Sequence, residues 1–196
     1  MTKENDFKDL YAHGMYEFIN ENYESSIEIL TQAAELKPDS TLVFASKGAA
    51  NLKLDRLEEA LNDINRAIRI DENYAKAYHL RGLVNEKKGH DSEALRDFTK
   101  AIELDPAYGA AYNSRATLHT KMGNEDLAME DIMVIQNLTN LNFEAFANEN
   151  NVWRSQQLRL EHQTSIGAPN HQYRTQVSDG ELSGNFDADE SGCVGH

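Results

Sequence analysis

Residues of one kind recur every thirty-four positions through much of this 196-residue chain. Gly14, Gly48 and Gly82 are thirty-four apart, and Ala116 takes the next slot. Ser26, Ala60, Ala94 and Ala128 keep the same period, as do Ala33, Ala67 and Ala101, followed by Ile135. Phe44, Tyr78 and Tyr112 add an aromatic position, preceded by Leu10. Such a period restricts the chain to repeated supersecondary units. Each unit is too small to bury its own apolar face, so neighbours stack into one continuous core.

The content of a unit is helical. Leu95, Phe98, Ala101 and Ile102 follow the spacing of one helix face. Gly89 and Gly123 stand where a first helix ends and turns. The small pairs Gly48 with Ala60, and Gly82 with Ala94, allow two helices to approach closely. Pro106 closes a second helix, because it neither donates a backbone hydrogen bond nor fits a helix interior.

These residues resemble the tetratricopeptide repeat, whose aromatic, Leu-Gly, Tyr, Ala, Phe and Pro positions fall at these offsets. Residues 75–108, AKAYHLRGLVNEKKGHDSEALRDFTKAIELDPAY, match best, and the likeness extends over 7–142. The resemblance implies an all-α, right-handed α-solenoid of four helical hairpins, 7–40, 41–74, 75–108 and 109–142. Residues 143–163 contain neither Gly nor Pro and carry Phe143, Phe146 and Trp153 at roughly helical spacing. They are expected to form a capping helix over the last hairpin. Residues 164–196 hold five of the eleven glycines and one basic residue, and read as a disordered acidic tail. Within it, Asp187 to Val194 matches the first half of a calcium loop but lacks the closing Glu. The tail's acids are also expected to compete for basic groups elsewhere in the chain.

One slot departs from the family. Its usual Leu is replaced by His13, Lys47, Arg81 and Arg115, while the sixteenth residue onward is Ile29, Asp63, Asp97 and Asp131. An acid stands opposite each Lys or Arg, so a half-buried ion pair within the hairpin is expected. The alternative is that Arg81 or Arg115 binds an anion.

Ligands of this family usually lie on the concave face, lined by the first helix of each hairpin. The resemblance therefore implies a peptide-binding groove of Tyr11, Met15 and Phe18 from the first unit and Leu42, Ala49, Leu52 and Lys53 from the second. Lys76, His79, Leu83 and Lys87 follow from the third, and Asn113, Thr117 and Lys121 from the fourth. Lys53, Lys87 and Lys121 form a ladder at the same period. The expected partner is thus an acidic protein segment; exposed lysines are also common at that slot for solubility alone. The carboxylate clamp that grips acidic chaperone C-termini maps to Tyr11, Met15, Ser46, Lys76 and Leu80, where only Lys76 fits. A clamp-type co-chaperone is not expected.

A net charge of −14 argues against nucleic acid and against an anionic membrane surface. No run approaches eighteen apolar residues, so membrane insertion is not expected. The N-terminal residues lack a secretory signal, and the single Cys193 leaves no intramolecular disulfide, which fits the cytoplasm. CVGH at the C-terminus fits a prenylation box poorly. Seven histidines show no metal-ligand spacing, and no nucleophile–base or phosphate-cradling motif stands out. No cofactor, metal or catalysis is expected. A non-catalytic adaptor is the favoured function; the alternative is a structural subunit that assembles with itself or a larger complex through its edges and convex face.

Overall fold

The computed structural model describes residues 3–149, and those residues form eight helices and no strand. In order they are α1 (Lys3–Ile19), α2 (Tyr23–Leu36), α3 (Thr41–Lys53), α4 (Leu57–Ile70), α5 (Ala75–Lys87), α6 (Asp91–Leu104), α7 (Gly109–Lys121) and α8 (Glu125–Glu149).

Each odd helix ends in the same way. Residues 21, 55, 89 and 123, one period apart, all take positive φ. The following N–H reaches back five residues: Asn22 to Glu17, Arg56 to Asn51, His90 to Asn85 and Asn124 to His119, at 2.8–2.9 Å. This is the left-handed closure that glycine adopts without cost. Gly89 and Gly123 supply it in the later hairpins, whereas Glu21 and Asp55 are forced into it in the first two. α2, α4 and α6 end in extended or intermediate backbone. Asp71 and Asp105 then turn the chain by accepting from the N–H two residues on, Asn73 and Ala107.

The paired helices touch at the small residues. A Cβ at Gly14, Gly48 or Gly82 would stand 2.7 Å from Leu30, 2.5 Å from Ile64 or 2.5 Å from Phe98. Those three large side chains are fully buried, so the missing Cβ is what admits them. Between hairpins, Val43, Val84 and Leu118 on odd helices pack against the even helix before them and are likewise fully buried. The core is therefore one continuous seam.

Consecutive odd helices also touch each other, α1 with α3, α3 with α5 and α5 with α7, while no two even helices do. The odd helices consequently line the inner, concave side. None of the described helices is long and apolar enough to cross a membrane.

The fourth hairpin departs from the expected layout. Asn140 replaces Pro106 of the previous unit, no glycine follows, and α8 runs unbroken through 139–142 to Glu149. Residues 143–149 thus continue α8 instead of opening a separate helix. The remainder of the expected cap, including Trp153, and the whole of 164–196 lie outside the described residues, as do the side chains of Phe143 and Phe146.

Candidate functional site: the inner groove

The inner side holds a hollow of about 570 Å³ lined by Leu52, Lys53, Leu83, Glu86, Lys87 and Lys121. Three helix C-termini meet there, those of α3, α5 and α7. The lysines occupy the last turns, where a cation is favoured by the free carbonyls. Leu52 and Leu83 form its apolar floor.

The lysine ladder is not uniformly free. Lys87 Nζ donates to Asp55 at 2.8 Å and Lys121 Nζ to Asp91 at 2.9 Å. Lys53 has no acidic partner among the described residues. Sequence reading assigns neither Lys87 nor Lys121 an acidic partner. It missed Asp55 and Asp91 because they are thirty-two and thirty residues from their lysines, off the thirty-four-residue period. Exposed pairs of this kind are worth at most about 1 kcal/mol, so a ligand carboxylate can replace them.

The other expected groove residues divide. Tyr11, Met15, Phe18 and Ala49 are half-buried on the inner helices, and Leu42, Asn113 and Thr117 are exposed, but none of these lines the hollow. Thr117 spends its hydroxyl on the Asn113 carbonyl of its own helix. Lys76 is exposed beside a separate depression with Tyr74 and Tyr108.

His79 requires correction. Expected in the open groove, it is 8% exposed and sits between the third and fourth hairpins. Its Nδ1 lies 3.1 Å from the Tyr108 hydroxyl and its Nε2 2.9 Å from Ser114 Oγ. Burial, reinforced by the nearby Lys76 charge, lowers its pKa to about 4. A neutral imidazole between two hydroxyls resembles a serine–histidine pair in outline. An imidazole so hard to protonate is a weak base at neutral pH, and both hydroxyls bolt helices together. No signal in the sequence linked His79 to Tyr108 or Ser114.

The expected intra-hairpin ion pairs are present, and they grow stronger along the array. Lys47 Nζ approaches Asp63 at 3.6 Å, Arg81 Nη2 reaches Asp97 at 2.7 Å, and Arg115 Nη2 reaches Asp131 at 2.6 Å. Each arginine also reaches the preceding hairpin, Arg81 to Asn65 Oδ1 at 3.2 Å and Arg115 to Thr99 Oγ1 at 3.1 Å. Hydrogen bonding to the carboxylate holds both arginines above their usual pKa. Burial raises the Asp63 pKa despite Lys47. All three nitrogens of Arg81 and of Arg115 are engaged in these contacts, so both side chains tie helices together. Among the described residues, no group of acidic, histidine and cysteine side chains is placed to hold a metal.

Known proteins match this geometry. Family models described as "TPR repeat" and "Tetratricopeptide repeat" match residues 48–89 and 75–108. A protein SGT1 homolog of Oryza sativa subsp. japonica is 34% identical over 70 residues, 36% of this chain. Those residues span only 19% of that relative's length. The crystal structure of MamA superposes with a TM-score of 0.63 at 24% identity, covering 72% of this chain and 82% of that one. The second TPR domain of human RPAP3, solved in complex with the HSP70 peptide SGPTIEEVD, gives a TM-score of 0.56 at 27% identity. That match covers 60% of this chain and 98% of the domain. Period, helix geometry and sequence matches agree, and the chain is a tetratricopeptide-repeat protein with an all-α solenoid fold.

Proposed function

We propose that this protein is a non-catalytic, cytoplasmic adaptor that holds an acidic segment of a partner protein in the inner groove. The observation that carries the proposal is the convergence of Lys53, Lys87 and Lys121 on one hollow floored by Leu52 and Leu83. A ligand that fills it places an apolar side chain on the leucines and carboxylates on the lysine ammonium groups. Asp55 and Asp91 pre-orient two of those lysines and compete with the ligand. Support also comes from the similar RPAP3 domain, whose ligand in the solved complex is a peptide ending in EEVD. Lys76 is the sole clamp-type residue here, so the binding mode proposed for this chain differs from a carboxylate clamp.

The test is capture of partners from native lysate by the full chain and by a Lys53→Glu, Lys87→Glu, Lys121→Glu variant, with mass-spectrometric identification. Partners captured by the wild type and lost from the variant support the groove. Identical partner sets refute it. A thermal melt of the variant verifies that the fold survives the loss of the Asp55 and Asp91 pairs.

A further inference from the structure

Equivalent positions in successive hairpins show where this array expects a neighbour. On α6, Phe98 is fully buried and Leu95 half-buried, covered by Leu118 of α7. On α4, Ile64 is fully buried in the same slot as Phe98, beneath Val84 of α5. One period later, on α8, the corresponding side chains Met129 and Ile132 are 52% and 39% exposed, and Met133 beside them is 55% exposed. Because α8 runs straight through the site of the missing turn, no first helix of a following hairpin folds onto this face among residues 3–149.

The opposite end of the array is built differently. Val43, Ala77 and Ala111 are fully buried where odd helices meet the preceding hairpin, and the matching residue on α1 is the exposed Asp9. A carboxylate in that slot makes α1 a poor cover for the apolar face of a second copy. The α8 face has no such polar plug.

Its charge selects an occupant. Residues Glu125–Glu149 contain six acids and no Lys, Arg or His. Glu125, Asp126 and Glu130 are exposed alongside the methionines, while Asp131 is committed to Arg115. Acidic flanks repel a second α8 and attract cations. Two methionines adapt their unbranched side chains to varied apolar partners.

We propose that the α8 face of Met129, Ile132 and Met133 is a second docking surface, separate from the inner groove, for a partner's amphipathic helix with an apolar stripe flanked by Lys and Arg. The helix takes the place that the first helix of a further repeat would occupy.

The test uses the full chain at physiological salt with two labelled eighteen-residue helical probes, one of Leu and Lys, the other of Leu and Glu. Binding is read by fluorescence anisotropy and by the ¹³C-methyl signals of the methionines. The Leu/Lys probe is expected to bind at least tenfold tighter than the Leu/Glu probe and to shift Met129 and Met133 but not Met15. Met129→Lys with Met133→Lys should weaken it at least tenfold, whereas the charge-matched Thr31→Lys, Gln32→Lys control on α2 should not. Equal weakening by both variants reduces the effect to net charge and overturns the proposal. A shift of Met15 in place of Met129 and Met133 moves the probe to the groove and also overturns it. Failure of the full chain to bind the Leu/Lys probe overturns it as well, with the face then covered by the chain's own remaining residues.

Discussion

Arg115 and Asp131 form a two-pronged ion pair across the fourth hairpin, with Nη2 and Nε each donating to a different carboxylate oxygen, at 2.6 and 2.9 Å. The Asp131 side chain is 5% exposed and that of Arg115 20%, so either charge left alone is poorly solvated. Removing one partner of such a pair costs more than the pair itself contributes. Arg115→Ala is expected to lower stability by about 3 kcal/mol in a chemical or thermal melt. The loss includes the Thr99 contact to the third hairpin. Unchanged stability would show that Asp131 needs no partner.

The Lys47–Asp63 pair predicts a contrast. Its 3.6 Å separation is longer, and burial, the largest influence, raises the Asp63 pKa. A carboxyl whose folded pKa lies above its unfolded value binds more protons when folded, so its ionisation opposes folding as pH rises through that window. Asp63→Asn should therefore cost at least about 1 kcal/mol less than Asp131→Asn at pH 7. Parallel denaturant titrations of the two variants check this.

His79 makes the interface of the third and fourth hairpins sensitive to acid. Its folded pKa of about 4 lies below the ordinary 6.5. The unfolded chain therefore binds the proton first, and stability falls as pH drops from 6.5 towards 4. At about 1.4 kcal/mol per pKa unit the full loss is about 3 kcal/mol. His79→Gln should be less stable at pH 7 yet lose less than the wild type over that pH range. Parallel pH profiles for the two proteins would exclude this role.

Gly82→Ala places a methyl 2.5 Å from the Phe98 ring, and an aromatic core has little room to yield. A cost of about 1–3 kcal/mol is expected, with partial recovery in Gly82→Ala, Phe98→Leu. Ala116 is tolerated in the same slot because its counterpart Ile132 is partly exposed and able to move.

Glu21 at φ 64° strains the first hairpin turn. Glu21→Gly should raise stability by up to about 1 kcal/mol, since glycine enters that conformation freely. Asp55→Gly relieves the same strain at φ 59° but removes the Lys87 pair, so its gain should be smaller. Melting temperatures of the two variants decide the order.

Much of the architecture was legible because it rests on local, repeated chemistry. Gly48 and Gly82 announce close helix crossings, Gly89 and Gly123 announce turns, and Phe98 repeats the slot of Ile64. The pairing of Arg81 with Asp97 and of Arg115 with Asp131 was also readable, because both partners keep one constant offset of sixteen residues. The three lysines of the ladder share a helix-end slot, and a common slot puts them along one face.

Contacts between different slots were not readable. His79 is buried because Tyr108, just before α7, and Ser114, within it, close over the ring; their spacings of twenty-nine and thirty-five residues match no period. Asp55 and Asp91 reach Lys87 and Lys121 only because the solenoid brings turns from earlier hairpins beside later helix ends. The course of α8 also lay beyond reading: without Pro or Gly at 140–142, whether the chain turned or continued depended on whether a neighbour was there to bury the next face. The period alone determined the hairpin, its crossing and its axial ion pair, since each depends on residues a fixed distance apart within one unit. Tertiary structure decided which lysines are paired, which histidine is dry and which helix face stays open, because stacking sets those distances and sequence offset does not.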